Sequence, residues 1–423
     1  MTASRGAYWA LAVIFIANFF NYLDRQLVSA LEKPISEELL LSQFEFGLLW
    51  TLFTVGYMVC AVPIGLVADR YSRTRLFAIC IVVWSLATIV SGMATDKIVL
   101  FAARILIGVG EAGCLIIGPA LISDLFPKEV RGKMLSFFYL AMPLGGALAF
   151  VLAGVFLDIG WRMLFAVAGY PGFLIALLIW TMRDPPRGGS EGSHHAHGGG
   201  SWSDYKRLLR TPTLILIIFA QAFAMVLLVN LIHFGARFFE EPPRSMDPKV
   251  AKESLGVMAL IGGAGGILVS GWLGDRLSRR WVGAYALLAG VSYLLALPCV
   301  LVGVSITSSY VFLPALTLGA FFLFLCMPAV NTQIANVSPP ALRATAWALA
   351  VFILHLFGDT VAPPVFGLVS GEIGRQDAFM FFSAGLGLAS LCCFIAAWTA
   401  KRDTARLATF EHPEPPTGAS PAA

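Results

Sequence analysis

The strongest constraint on the fold is a polar loop that the sequence contains twice, almost half the chain apart. One copy runs from Gly65 to Arg75 and the other from Gly271 to Arg280, and both match the pattern Gly-x-x-x-Asp-Arg-x-Ser-Arg. Each copy joins two long apolar runs. An internal repeat at this spacing predicts two similar halves, and each half is expected to be a bundle of apolar helices.

The composition is that of a membrane protein. Hydrophobic residues make up 58% of the 423 residues and charged residues only 13%, with a mean hydropathy of +0.80. A soluble domain carries about 25% charged residues, so a large soluble core does not fit. The seven cysteines lie in apolar runs, and none has the Cys-x-x-Cys spacing of a zinc or redox site. We therefore expect no disulfide framework, no metal and no cofactor.

The apolar runs predict an all-α protein with twelve transmembrane helices in two pseudo-symmetric six-helix bundles. A spanning helix needs about 20 apolar residues, and the runs of this length are 8–31, 46–68, 76–95, 98–122, 132–157, 162–182, 212–239, 254–274, 281–303, 309–332, 342–370 and 376–400. The bundles are expected over 1–182 and 212–402. The linker, 183–211, is Gly/Ser/His-rich with a short interfacial helix over 201–210, and the Pro-rich tail, 403–423, is expected to be disordered.

Lysine and arginine residues predict the orientation of the bundle. If the N-terminus is cytoplasmic, the cytoplasmic segments hold more than twice as many of these residues as the outer loops. Such an excess is typical of cytoplasmic loops. We predict a multi-pass protein of the cell (inner or plasma) membrane with both termini in the cytoplasm.

Two enzyme motifs match the sequence but lie in the wrong context. The stretch from Gly108 to Gly113 fits the dinucleotide pattern G-x-G-x-x-G, yet it lies within a spanning run, where glycines indicate close helix packing. The stretch from Gly188 to Gly192 fits the hydrolase pattern G-x-S-x-G, yet it lies in the linker and not at a strand-to-helix turn. The sequence has no P-loop and no H-E-x-x-H motif. We expect no enzyme, no nucleotide-driven pump and no nucleic-acid partner.

Charged residues inside the spans are the strongest indication of function. An ionisable group at the bilayer centre costs about 2.5–3.5 kcal/mol on insertion scales and usually faces a partner or a cavity. The first span contains Asn21, Asp24 and Arg25, and the fourth contains Arg104 and Glu111. Asp24 and Arg104 lie at similar depth and could pair. These charges either lock the bundle permanently or let Asp24 and Glu111 gain and lose protons as the cavity opens to each side, and we favour the second hypothesis.

The second half carries fewer charges at bilayer depth. Asn230 and His233 lie in the outer part of the seventh span, and His355 and Asp359 share one face of the eleventh. The His355–Asp359 pair suits either a second proton relay or a structural hydrogen bond. The fourth span of this half contains no charged residue. We therefore expect the first half to carry the ion chemistry and the second half to shape the site.

These residues resemble the major facilitator superfamily. The repeated loop resembles its signature loop, and Arg104 followed by Gly108 resembles its proton-coupling motif. Four segments resemble the Spinster branch of this superfamily, namely Asn21-Tyr-Leu-Asp24-Arg25, Gly108-Val-Gly110-Glu111-Ala112, Ser123-Asp124-Leu-Phe-Pro127 and His355-Leu-Phe-Gly358-Asp359. The resemblance covers about residues 7–402 and implies export of sphingosine-type phosphates and lysolipids, with protons or by gradient-driven exchange.

The polar residues within the spans, the repeated loop and the resemblance together predict three groups of site residues. Proton coupling would involve Asp24, Glu111, Arg104 and Arg25. The substrate would contact Asn21, Tyr22, Arg25, Arg104, Glu111, Asn230, His233, Asn331, His355 and Asp359. The cytoplasmic gate would comprise Gly65, Asp69, Arg70, Arg73, Asp124, Arg131, Asp275, Arg276 and Arg279. Within it, Asp69, Arg73 and Asp124 would form a latch that breaks when the cavity opens inward.

Together these features predict a monomeric, proton-coupled secondary transporter that moves an amphipathic organic anion, similar to a sphingolipid or a lysolipid, by alternating access. Its partners would be the small-molecule or lipid substrate, protons and the surrounding membrane lipids. The alternatives are a transporter of a small polar solute or a drug, and a membrane receptor or scaffold that transports nothing. The buried charges favour transport, because a scaffold gains nothing from their cost.

Overall fold

The computed structural model describes residues 5–126, 128–156, 159–186, 208–338 and 343–411. Almost all of these residues are helical, and 12 helices are long and apolar enough to cross a membrane. The prediction of an all-α protein with twelve transmembrane helices is therefore confirmed. The Gly/Ser/His-rich stretch, most of the predicted interfacial helix and the last twelve residues lie outside the described ranges.

The first half contains six long helices and one short one. In chain order they are α1 (Arg5–Ala30), α2 (Glu32–Glu38), α3 (Gln43–Arg70), α4 (Arg73–Gly92), α5 (Lys97–Leu125), α6 (Lys128–Val155) and α7 (Trp161–Thr181). The starts of α3 and α5 follow from their sequences. Ser42 and Glu45 form a capping box at the start of α3, and the side chain of Asp96 accepts two backbone hydrogen bonds at the start of α5.

In the second half, two of the spanning helices contain a π-helical turn. The helices are α8 (Pro212–Glu240), α9 (Pro248–Met258), α10 (Gly265–Ser278), α11 (Ala284–Ser305), α12 (Ser309–Asn336), α13 (Arg343–Leu354), α14 (Ala362–Ile373) and α15 (Arg375–Glu411). A π-helix over Ala259–Ala264 joins α9 to α10, and another over His355–Asp359 lies between α13 and α14. Helix α15 continues through Glu411, so the prediction of a disordered tail from residue 403 is wrong for residues 403–411.

The bundle has two ends, which we name by what they contain. The α2 end holds helix α2, and the repeat end holds the loops that follow Arg70 and Ser278. Helix α3 links the two ends, because its 28 residues extend about 42 Å at 1.5 Å per residue. The sequence predicts that the repeat end faces the cytoplasm.

The two halves are joined at the α2 end. One large apolar core contains residues of the second half together with Leu27, Ile35 and Phe46 from the α2 end of the first half. A second core, which includes Phe77 and Phe126, lies within the first half toward the repeat end. The structure therefore shows the halves packed together where α2 lies.

Helices α3 and α14 cross at the α2 end with their backbones in contact. A Cβ atom added to Gly47 would lie 2.4 Å from the carbonyl carbon and oxygen of Pro363, and one added to Gly367 would lie 2.3 Å from the carbonyl oxygen of Gln43. The hydroxyl of Ser370 also donates to the side-chain oxygen of Gln43 across the same crossing. Only glycine permits this approach.

We predict that Gly47→Ala and Gly367→Ala shift the protein toward states in which the α2 end is open. The added methyl group would overlap backbone atoms of the other half, and such overpacking costs about 1–3 kcal/mol. Spin labels placed on α3 and α14 at the α2 end should report a longer mean distance in both variants.

Gly371→Ala is the matched control for this prediction. It changes a glycine of the same helix α14 that has no atom within 4 Å of an added Cβ. If Gly47→Ala and Gly371→Ala give the same distance distribution, the backbone contact does not control closure.

Candidate functional site

A buried ion pair in the first half forms the centre of the candidate site. Arg25 of α1 donates from Nε to Oε2 of Glu111 on α5 at 3.0 Å, and its Nη2 lies 2.9 Å from the same oxygen. Glu111 is completely buried. The pair joins the first and fourth spans, which were both predicted to carry the ion chemistry.

The glycines around Glu111 explain its position. An added Cβ at Gly108 would lie 2.0 Å from the carbonyl oxygen of Phe53 on α3, and one at Gly110 would lie 2.7 Å from the backbone nitrogen of Trp84 on α4. Helix α5 is therefore packed closely between α3 and α4 at this level. The interpretation of the G-x-G-x-x-G match as a helix-packing feature is consistent with this geometry.

Aromatic rings surround the guanidinium group of Arg25. Its Cζ lies 5.0 Å from the ring centre of Tyr22, 4.9 Å from that of Phe53 and 5.7 Å from that of Tyr57. The guanidinium of Arg104 lies 5.3 Å from the ring of Phe53. These distances lie within the range of cation–π attraction, which stabilises a buried guanidinium without neutralising its charge.

Asp24 does not form the predicted ion pair with Arg104. Its Oδ2 instead accepts a hydrogen bond from the hydroxyl of Thr88 on α4. Arg104 is buried, and its Nε and Nη1 have no hydrogen-bond partner within the described ranges. The two side chains do not pair because Asp24 faces α4, whereas Arg104 lies over Phe53 of α3. Similar depth in the membrane was not sufficient for pairing.

Several other buried polar atoms near the ion pair lack hydrogen-bond partners in the described part of the chain. They are both side-chain polar atoms of Asn21, Oδ1 of Asp24, Oε1 of Glu111, Nε1 of Trp50 and Nε2 of His233. A cavity of about 10 Å³ lies beside them and is lined in part by Arg25, Arg104, Trp50 and His233. Buried polar groups nearly always have a partner, and a cavity of this size holds about one water molecule. The described side chains alone therefore leave these polar atoms without hydrogen-bond partners.

The second half reaches the cavity through His233 on α8. Nδ1 of His233 and the hydroxyl of Ser29 on α1 are hydrogen-bonded, and the His233 ring lies 4.4 Å from the ring of Trp50. Asn230, one turn earlier on α8, donates to the carbonyl of Val226 in its own helix. His233 thus lies beside the first-half site residues, and its contact with a substrate stays a prediction.

The other second-half candidates lie on α12 and on the second π-helix. Nδ1 of His355 lies 2.9 and 3.0 Å from the two carboxylate oxygens of Asp359, and the ring of His355 lies 6.2 Å from that of Tyr57. Asn331 on α12 is half-buried, and its Oδ1 has no hydrogen-bond partner among the described residues. Tyr57 therefore lies between the Arg25 guanidinium and the His355–Asp359 pair.

At the repeat end, Arg73 binds two carboxylates. It pairs with Asp124 on α5, its Nε donates to Oδ1 of Asp184 at 3.1 Å, and its Nη2 donates to the carbonyl of Pro185 at 2.6 Å. The backbone nitrogen of Arg73 also donates to Oδ2 of Asp184, at 2.6 Å. Arg73 and Asp124 belong to the first half, and Asp184 and Pro185 follow its last helix. Asp184 was missed, although its position directly after the sixth span was visible in the sequence.

The remaining residues of the predicted gate take no part in this cluster or are not described. Gly65 packs on Ile116 of α5, with 4.0 Å between an added Cβ and Cγ2. Arg70, Arg276 and Arg279 are exposed. The side chains of Asp69, Arg131 and Asp275 lie outside the described part of the structure. The Arg73–Asp124 part of the latch is formed while the α2 end is closed, and its breakage on inward opening stays a prediction.

Two of the three carboxylates on helix α2, Glu32 and Glu38, have opposite surroundings. Glu38 accepts from Nε1 of Trp161 at 2.6 Å and pairs with Arg162, and the Trp161 hydrogen bond is the main cause that lowers the pKa of Glu38. Burial raises the pKa of Glu32, while the nearby guanidinium groups of Arg375 and Arg237 oppose the increase. Neither contact was foreseen from the sequence.

Within the described ranges, no three His, Cys, Asp or Glu side chains lie together as a metal site would require. The cysteines in these ranges are all free.

Comparisons with known proteins place this geometry in context. A model of the Major Facilitator Superfamily matches residues 14–358. Protein spinster of Drosophila melanogaster is 29% identical over 89% of this chain and 64% of its own length, so the chain spans a little under two thirds of that protein. Protein spinster homolog 1 of Mus musculus is 31% identical over 93% of this chain and 79% of its own length.

A solved structure has the same fold. It is the crystal structure of a bacterial homologue of the human lysosomal transporter Spinster, in an inward-facing and unoccupied conformation. It superposes with a TM-score of 0.86 at 22% sequence identity and covers 95% of this chain and 99% of the other. The prediction of the major facilitator fold is confirmed.

We predict that Arg73→Gln destabilises the first half. The variant loses hydrogen bonds to two carboxylates and a carbonyl, and a hydrogen bond to a charged group contributes about 1.5–3 kcal/mol to the free energy of unfolding. The apparent melting temperature of the purified protein in detergent should fall. Arg70→Gln, which removes an exposed guanidinium in the same loop, should change it little, and equal melting temperatures for the two variants would contradict the assignment.

Proposed function

Because the chain belongs to the Major Facilitator Superfamily and, within it, to the Spinster proteins, we propose that this transporter couples the movement of an amphipathic organic anion to the movement of protons. The two halves would open the central site alternately to the two sides of the membrane. The repeat end would face the cytoplasm together with both termini, and the α2 end would face outward in the cell membrane.

The Arg25–Glu111 ion pair is the observation that supports this proposal most strongly. Removing two charges from water is expensive, and a buried pair stabilises a fold less well than apolar side chains of similar volume. A purely structural role therefore explains the pair poorly. The nitrogens of Arg104 that lack hydrogen-bond partners lie nearby and would be able to bind an anionic group.

Competition for Arg25 provides a coupling mechanism. Arg25, Arg104, Asp24 and Glu111 together carry two positive and two negative charges when all four are ionised. An anionic head group that binds Arg25 and Arg104 would release Glu111 from its partner. A free buried carboxylate favours its neutral form, so Glu111 would take up a proton and the site would remain electrically balanced. Departure of the anion would return Arg25 to Glu111 and release the proton.

The surroundings of the arginines favour an anion with an apolar tail. Aromatic rings of Tyr22, Phe53 and Tyr57 contact Arg25, and Trp50 lines the cavity next to Arg104. Guanidinium groups bind phosphate and carboxylate oxygens through paired hydrogen bonds. A sphingolipid- or lysolipid-like molecule has both the anionic head and the apolar chain that such a site would accept. We propose that the transporter acts as a monomer, since each chain contains a complete central site.

We predict that Glu111→Gln and Asp24→Asn abolish substrate-dependent proton movement. Each variant replaces one carboxyl group by an amide of the same size. The amide cannot take up or release a proton in this range of pH. The measurement uses proteoliposomes that contain a pH dye, to which a lysophosphatidic acid or a sphingoid phosphate is added. Wild-type protein should change the internal pH when the substrate is added, and the two variants should not.

Glu372→Gln is the control, because Glu372 is an exposed carboxylate at the end of α14. It should behave like the wild type. If Glu111→Gln and Asp24→Asn also couple normally, both carboxylates are structural and the proposed proton sites are wrong. If the wild type transports the lipid without moving protons, the proposed substrate class is supported and the proposed proton coupling is wrong.

A further inference from the structure

The α2 end contains a second arginine cluster, separate from the central site. Arg237 lies near the end of α8 and Arg375 begins α15, so both belong to the second half. Their common partner from the first half is Glu32 of α2. Nη1 of Arg375 lies 3.0 and 3.2 Å from the two oxygens of Glu32, and Nη1 of Arg237 lies 3.7 Å from one of them.

Both arginines also have contacts within the second half. Oε1 of Glu241 accepts from Nε of Arg237 at 3.0 Å, and Oε2 of Glu241 lies 3.2 Å from Nε of Arg375. Arg375 also lies 5.3 Å from the ring of Phe234, in its own half. Glu241 and Phe234 belong to the second half, so the arginines would remain side by side if the halves separated.

Glu32 moves with the other half. Glu38, at the far end of the same short helix, is held by Trp161 and Arg162 of the first half. Opening of the α2 end would therefore withdraw Glu32 from the arginines. This withdrawal would leave two adjacent guanidinium groups with the single carboxylate of Glu241.

The site can also donate more hydrogen bonds than Glu32 accepts. Arg375 is only 5% exposed, and its Nη2 has no hydrogen-bond partner within the described residues. A neighbouring cavity of about 390 Å³ extends from Arg375 to Arg244, with Phe238 and Ile373 on its apolar side and the carboxylates of Glu241 and Asp377 on its polar side. Without Glu32, Glu241 is the one described carboxylate that contacts Arg237 and Arg375, so an anion would be attracted.

We propose that Arg237 and Arg375 form an outer anion-binding site, that Glu32 occupies it while the α2 end is closed, and that the head group of an anionic amphipath takes the place of Glu32 when the α2 end opens. Glu32 thus acts as a tethered competitor of the substrate. The inference rests on the proposed function for the identity of the anion. The shared chemistry is a phosphate or carboxylate group, since a guanidinium pair binds either.

The raised pKa of Glu32 agrees with displacement. Burial makes the ionised carboxyl less favourable at this position, and the arginines offset the cost. The contact is therefore one that a better-matched anion could replace.

The test measures binding to the purified full-length chain in lipid nanodiscs by calorimetry, without a proton gradient. The probes are a twelve-carbon lysophosphatidic acid, inorganic phosphate and the zwitterionic twelve-carbon lysophosphatidylcholine, whose net charge is zero. Glu32→Gln should bind lysophosphatidic acid at least about tenfold more tightly than the wild type. A tenfold change in affinity corresponds to the lower end of the free energy of one charge-assisted hydrogen bond. Binding of lysophosphatidylcholine should not change. An equal gain for inorganic phosphate would support a site for the free anion, whereas a gain for the lipid alone would support one for the amphipath.

Two further variants locate the binding. Glu37→Gln, which changes an exposed carboxylate of the same helix α2, should behave like the wild type. Adding Arg375→Lys to Glu32→Gln keeps the charge but loses the planar fork, and it should remove the gain. Unchanged affinity in Glu32→Gln would overturn the proposal, and so would a gain that persists with Arg375→Lys but is lost with Arg104→Lys. The binding experiment needs no transport, so it can fail or succeed independently of proton coupling.

Discussion

The structure depends on how charges are neutralised where water is scarce. The Arg25–Glu111 pair lies inside the first half, where each ion would be strongly unfavourable alone. The pair is possible only because α5 packs against its neighbours with backbone contact at Gly108 and Gly110. Close packing brings the carboxylate to the guanidinium, and the rings of Tyr22, Phe53 and Tyr57 surround the guanidinium group. Packing and charge therefore define the central site together.

The sequence predicted those features that follow from the cost of burial. The twelve spans were predictable because a crossing helix must be long and apolar. Four charged residues could be identified as candidates, because a charge at this depth is costly and usually has a partner or a function. They are Asp24, Arg25, Arg104 and Glu111. The partner of each charge could not be predicted, because depth along a helix does not give the direction of the side chain. Asp24 thus contacts Thr88 instead of Arg104.

Contacts made by common residues in loops and short helices were harder to predict. Asp184 and Glu32 are acidic residues next to helix ends, and many such residues are simply solvated. Their roles follow from the tertiary positions of Arg73 and Arg375, which come from distant parts of the chain. The π-helix over His355–Asp359 was also unforeseen. It still places the two side chains in contact, so the predicted pair formed despite an incorrect assumption about the helix.

The two arginine clusters differ in how they respond to motion between the halves. The Arg25–Glu111 pair lies within one half, so a rigid rotation of the halves leaves it intact. The Glu32–Arg375 pair joins the halves, so the same rotation must break it. A rigid-body transition therefore changes the charge balance at the α2 end but not directly at the centre. It follows that an anion at the centre can favour opening only through contacts that cross between the halves, and the His233–Ser29 hydrogen bond beside Arg104 is such a contact.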